Sequence, residues 1–139
     1  MDELIDELHE VSEAVPVPLE LPEHDQVVDA QEQILMPLPL EFREVLMTCG
    51  DVVYGSLEPV TVADPASHTY LPEVTSTAWS LGMPRDLVAV CEARDGYYCI
   101  AQDGEIHLWR SENQGENEGL DEETWENIWY WVREVWLES

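Results

Sequence analysis

The stretch LVAVCEARDGYYCIAQDGEIHLW, residues 87–109, decides the fold. Its apolar residues recur with a period of two in three runs, 87–91, 97–101 and 105–109, and Asp95-Gly96 and Asp103-Gly104 stand between them. Asp-Gly tolerates the positive φ of a tight hairpin turn, so three runs joined in this way read as an antiparallel three-strand meander. Cys91 and Cys99 flank the first turn. A two-residue loop sets them on opposite faces of the sheet, and a three-residue loop brings them opposite each other. The Tyr97-Tyr98 pair alternates across its strand, with one ring buried and the other on the opposite face.

Outward from the meander the period becomes helical. Leu4, Leu8 and Val11 share a face of a first helix over residues 2–14, which two X-Pro pairs, Val15-Pro16 and Val17-Pro18, end. A second helix covers about 23–35. A third starts at Leu38-Pro39 and carries Phe42, Val45, Leu46 and Cys49 at i, i+3, i+4 and i+7, with Gly50 as its stop. Two short strands are expected at 52–54 and 59–62. Residues 63–80, polar and holding Pro65 and Pro72, read as a long loop with at most one helical turn, and 111–119 as a second polar loop. Asp121 then caps a final helix with Trp125, Ile128, Trp129, Val132 and Trp136 on one face, leaving Tyr130 and Trp131 for exposed contacts. The expectation is an α+β single domain, a central antiparallel sheet (the meander plus one or two short strands) packed by N-terminal helices and a Trp-rich C-terminal helix. Residues 1–18 form an N-terminal helix with its Pro-rich connector, and 19–139 form the domain proper.

Composition narrows the function. The chain has 31 Asp plus Glu against five Arg and no Lys, a net charge of -26. With 45% hydrophobic residues and six Trp there is ample material for a core, so this acidity belongs to a folded protein and not to a disordered tail. A surface of roughly 7,000 Å² then spaces the net charges by roughly 17 Å, about two Debye lengths at physiological salt. Nucleic acid and anionic membrane are excluded as partners, because both need basic residues to meet phosphate. The charge is heaviest on the flanks: residues 1–33 hold eleven acids and no Arg, and residues 112–139 nine acids and one Arg.

Chemistry is sparse. His9, His24, His68 and His107 show no metal-ligand spacing, and Cys49, Cys91 and Cys99 form no CxxC. We expect three free thiols, no metal, no cofactor and no catalytic residue. GxSxG and phosphate-cradling glycine loops are missing as well. The start, Met1-Asp2-Glu3, offers neither the basic nor the apolar region of a leader, which reads as cytoplasmic.

Several motifs, in order, resemble the SUKH superfamily, the Smi/Knr-type proteins named for a fungal cell-wall-assembly regulator. They are Leu38-Pro39-x-x-Phe42-x-x-x-Leu46 with Gly50, then Gly82-Met83-Pro84-x-x-Leu87-x-x-Val90, then Gly96-Tyr97-Tyr98-Cys99-Ile100, Asp103-Gly104-x-Ile106 and the Trp-bearing C-terminal segment. The resemblance covers Val27 to Trp136. It departs at Cys49-Gly50-Asp51, where the family often has Asn-Gly-Gly, and in the first helix, which looks like an addition.

The resemblance implies a non-catalytic binding domain. Bacterial members look like immunity proteins that neutralise a toxin, so a basic, nuclease-type toxin bound stoichiometrically is the expected partner. The alternative is a housekeeping regulator or adaptor with a non-toxin partner, using the appended helix to dock or dimerise. The chain itself is expected as a monomer or dimer. The expected partner contacts are exposed groups near the loops after the Leu-Pro helix: Asp51, Tyr54, Glu58, Asp64, His68 and Glu73.

Overall fold

A computed structural model describes residues 2–111 and 119–139. Four helices precede the sheet: α1 (Asp2–Val11), α2 (His24–Ile34), α3 (Leu40–Cys49) and α4 (Leu71–Leu81). The sheet is one antiparallel meander in chain order, β1 (Val88–Ala93), β2 (Gly96–Ile100), β3 (Ile106–Arg110) and β4 (Leu120–Trp125). A short helix α5 (Ile128–Trp131) follows and runs on as a π-helical turn over Val132–Trp136, where the Leu137 N–H reaches the Val132 carbonyl at 2.9 Å. This is the α+β single domain that the meander implied.

The hairpin between β1 and β2 turns through Arg94 and Asp95, one residue earlier than Asp95-Gly96, because Ala93 pairs with Gly96. Glycine is required at 96 by close approach: a Cβ there would collide with the Trp109 carbonyl oxygen of β3. The register from this two-residue loop sets Cys91 opposite Tyr98, so Cys91 and Cys99 fall on opposite faces, and a bulge follows only between Cys91 and Ala89. All three cysteines are free and buried. Tyr97 stacks on Trp109, whereas Tyr98 meets Trp125 and Trp131 edge-on at 5.7 and 5.4 Å.

Four expectations need correction. Residues 63–80 are no long loop, for α4 fills much of the span. Pro72 sits in the first turn, where its missing N–H costs nothing, so it starts the helix where it was read as breaking it. The buried stripe of α4 is Leu71, Thr75 and Ala78, too small and polar to announce itself. Thr75 is satisfied there, its Oγ1 accepting from the Ala89 N–H at 3.2 Å. Gly82, at φ 118, closes the helix in the left-handed region.

The second correction concerns Asp121, which belongs to β4 and caps nothing. The true cap is Asn127, whose Oδ1 accepts from the N–H groups of Trp129 and Tyr130 at 3.0 and 3.2 Å. Third, Trp131 is wholly buried and offers no exposed contact, because α5 is covered by the sheet on one side and α3 on the other. Fourth, the strands expected at 52–54 and 59–62 shrink to two isolated bridges, Pro59 with Cys91 and Thr61 with Tyr70. Pro59 has no N–H to extend the ladder. In addition, α3 ends on a right-handed Gly50, whereas α2 ends on Leu35 in the left-handed region at φ 58. The polar loop expected at 111–119 lies largely outside the described residues.

The first helix packs onto α3, with Leu8 completely buried and Leu4 and Ile5 resting on the core. Beyond it the chain is tied down by the Glu13 N–H to the Val53 carbonyl at 2.6 Å and the Val53 N–H to Ser12 Oγ at 3.1 Å. The Pro-rich connector then crosses the molecule with Val17 82% exposed.

Candidate functional site

Crossing from α1 to α2, the connector passes over an apolar cleft of about 260 Å³. Its floor is the α3 stripe, Phe42, Val45 and Leu46, with Trp131 and Trp136 beside it. Val15, Val17 and Leu19 of the connector close one side. The opposite side is the irregular segment after α3, held by the Val60 N–H to the Val90 carbonyl at 2.8 Å and by Tyr54. That tyrosine is clamped twice to the C-terminal helix: its hydroxyl donates to the Leu137 carbonyl and its own carbonyl accepts from Trp136 Nε1, both at 3.2 Å.

The mouth is polar. Glu58 and His68 are hydrogen-bonded there, both largely exposed. Behind them Thr61 Oγ1 and Thr69 Oγ1 lie 2.8 Å apart, and Ser67 Oγ is 2.8 Å from Thr69. A second depression of about 310 Å³ adjoins the first and shares Glu58, Val60, His68 and Thr69 with it, adding Glu92 and Arg94.

Of the six expected contact residues, the structure brings Tyr54, Glu58 and His68 together at this cleft. The other three stand apart from it. Asp51 accepts from or pairs with His9 Nε2 at 3.0 Å and ties α1 to the body. Asp64 takes the Ala66 N–H at 2.9 Å in a local turn, and Glu73 lies in the first turn of α4. Sequence reasoning missed the connector valines and Leu19. Apolar residues interleaved with prolines in an otherwise polar linker are the signal that marks them.

Burial disfavours the thiolate at all three cysteines. Burial pushes Cys49 upward, against a hydrogen bond from Thr48, and pushes Cys91 and Cys99 up to about 12. Among the described residues no group of three His, Cys, Asp or Glu is placed to hold a metal ion. No helix among them is long and apolar enough to cross a membrane. Three of the five arginines are engaged within the fold: Arg110 pairs with Asp121 at 3.2 Å, and Arg85 and Arg133 lie over the rings of Trp79 and Tyr130.

Comparison with known proteins agrees with this architecture. A crystal structure of a protein from Pseudomonas syringae pv. tomato superimposes with a TM-score of 0.93 at 52% identity, covering 100% of both chains. No curated protein matches. The family model described as SUKH_5, SMI1-KNR4 cell-wall, matches residues 1–137, so the first helix lies within the matched span. With the Leu-Pro helix, the meander and the Trp-bearing C-terminal segment all in place, the chain belongs to the SUKH superfamily, the SMI1-KNR4 family of proteins.

Proposed function

We propose that this chain is a non-catalytic, cytoplasmic binding protein that neutralises a cationic, nuclease-type toxin by stoichiometric occlusion. The observation that carries the reading is unneutralised acidity: 31 carboxylates against five arginines, three of which are already paired or stacked within the fold. Such a surface steers a basic protein toward itself and holds it by charge-assisted hydrogen bonds, while its bulk blocks the cationic site meant for nucleic acid. The edge at Glu58 and His68 is the contact we assign. The regulatory alternative rests on an amphipathic α1 free to dock on a partner, whereas Leu8 of that helix is fully buried in its own chain.

The test is capture with the tagged full chain from host lysate at ~0.1 M and ~0.5 M salt, since exposed charge pairs fade as the Debye length shortens. One basic partner, released at the higher salt and losing its nuclease activity at a 1:1 ratio with this protein, is the expected result. A partner without toxic activity returns the reading to a regulatory adaptor. No partner at either salt removes it.

A further inference from the structure

We infer that the apolar cleft and the polar depression beside it form one composite site for a small amphipathic organic cation, its alkyl or aryl body in the cleft and its ammonium at Glu58. This goes beyond the protein-binding reading and does not depend on it.

Size comes first. Protein interiors rarely leave voids larger than a water molecule, and an engineered apolar cavity of about 150 Å³ is already enough to take benzene. The cleft here, at about 260 Å³, is larger, and its floor of Val45, Leu46 and Trp131 offers an entering group dispersion contacts and little else. Cys49 adds a thiol that burial keeps uncharged. An apolar body is what such walls select.

The head group follows from the shared mouth. Glu58, Val60, His68 and Thr69 belong to both depressions, so a molecule reaching out of the first enters the second beside Glu58. There Glu58 and Glu92 face one fixed cation, Arg94, and Glu58 already holds the imidazole nitrogen of His68. An ammonium can take the place of that imidazole. A carboxylate head meets two acids and the field of 26 net negative charges. Anionic amphiphiles are therefore rejected by the same surface that admits cationic ones.

Trp131 and Trp136 line the cleft, so their fluorescence reports occupancy, and the methyl resonances of Val45, Leu46 and Val60 report position. The probes are n-octylammonium, octanol and octanoate, titrated into the full chain at low salt. We expect saturable octylammonium binding with shifts centred on those methyls, weaker octanol binding at the same methyls, and none for octanoate. Glu58→Gln, a change at an exposed position that leaves the fold alone, should weaken octylammonium by about three- to fivefold and leave octanol unchanged, the worth of one solvent-exposed charge pair. Glu10→Gln on α1 is the control and should change nothing. Equal binding of octanoate or octanol overturns the assignment, as does octylammonium that shifts surface resonances only or responds alike to both glutamate substitutions.

Discussion

The two sides of this molecule are held together by different means. On one side, β1 to β4 exchange backbone hydrogen bonds along their lengths and bury Trp109, Trp125 and the aromatic stack that reaches α5. On the other, the connector and residues 50–70 cross the cleft with no regular strand, fixed by single tethers such as Glu13 to Val53 and Val60 to Val90. The first side is a scaffold whose parts constrain one another. The second carries apolar residues partly exposed, Val17 at 82% and Leu19 at 44%. Continuous strand pairing and isolated tethers are thus separated in space.

The sharpest way to break that division is to strike the aromatic stack. Trp131 touches Tyr98 of the sheet and Trp136 of the π-helical turn, at 5.4 and 6.4 Å between ring centroids. Trp131→Ala should cost about 3–5 kcal/mol in urea unfolding, the usual loss for a buried Trp truncated in a core that cannot close around the hole. A loss under about 1 kcal/mol would mean that the C-terminal helix is peripheral to the scaffold. Next comes Leu8, the residue by which α1 enters the core. Leu8→Ala should cost about 2–3 kcal/mol, within the range for buried leucines. If it costs nothing, α1 is a detachable appendage, and the cleft side begins further along the chain.

The same division explains what could be read from the sequence. The meander was legible because period two is a local signal that the sheet then satisfies, although the first turn falls on Arg94-Asp95 and Gly96 opens β2. Phe42, Val45, Leu46 and Cys49 were legible for the same reason at helical spacing, and all four are buried. By contrast, α4 hides its core face in Leu71, Thr75 and Ala78, and the burial of Thr75 is explained only by a partner, Ala89, that the sheet brings from a distance. Asp121-Glu122-Glu123 looks like a helix start because acids favour that position. It is an edge strand instead, and pairing with β3 overrides the local preference. The cleft was half legible: Tyr54, Glu58 and His68 follow from their exposed loop, whereas the floor was visible only as core.

A gentler probe of the scaffold uses its thiols. Cys91 and Cys99 are pushed up to about 12 chiefly by burial, from an ordinary value of 9.0 in the unfolded chain. A group whose pKa is raised by folding adds stability that is complete below its unfolded value and is lost as pH climbs toward its folded one. Unfolding free energies from urea titration should therefore hold steady up to about pH 9 and fall between about 9 and 12, by at most about 1.4 kcal/mol per pH unit for each thiol. The Cys91→Ala and Cys99→Ala variants should fall less steeply over that window. A thiol reagent at pH 8 should label neither cysteine until the chain unfolds, and rapid labelling of the native protein would place both outside the scaffold.

The smallest effect belongs to Asp51, and it discriminates between the two sides most finely. Its Oδ1 lies 3.0 Å from His9 Nε2 with both side chains about one-third exposed, at 39% and 31%, a setting in which ion pairs contribute little. Asp51→Asn keeps an oxygen at the same place, so unfolding should shift by less than about 0.5 kcal/mol. Binding to a basic partner is the informative readout. Asp51 lies outside the cleft whereas Glu58 sits at its mouth, so Asp51→Asn should leave affinity nearly unchanged and Glu58→Gln should lower it. Equal losses for the two would mean that the partner reads overall acidity and not the cleft edge, because diffuse attraction depends on net charge and each substitution removes the same one.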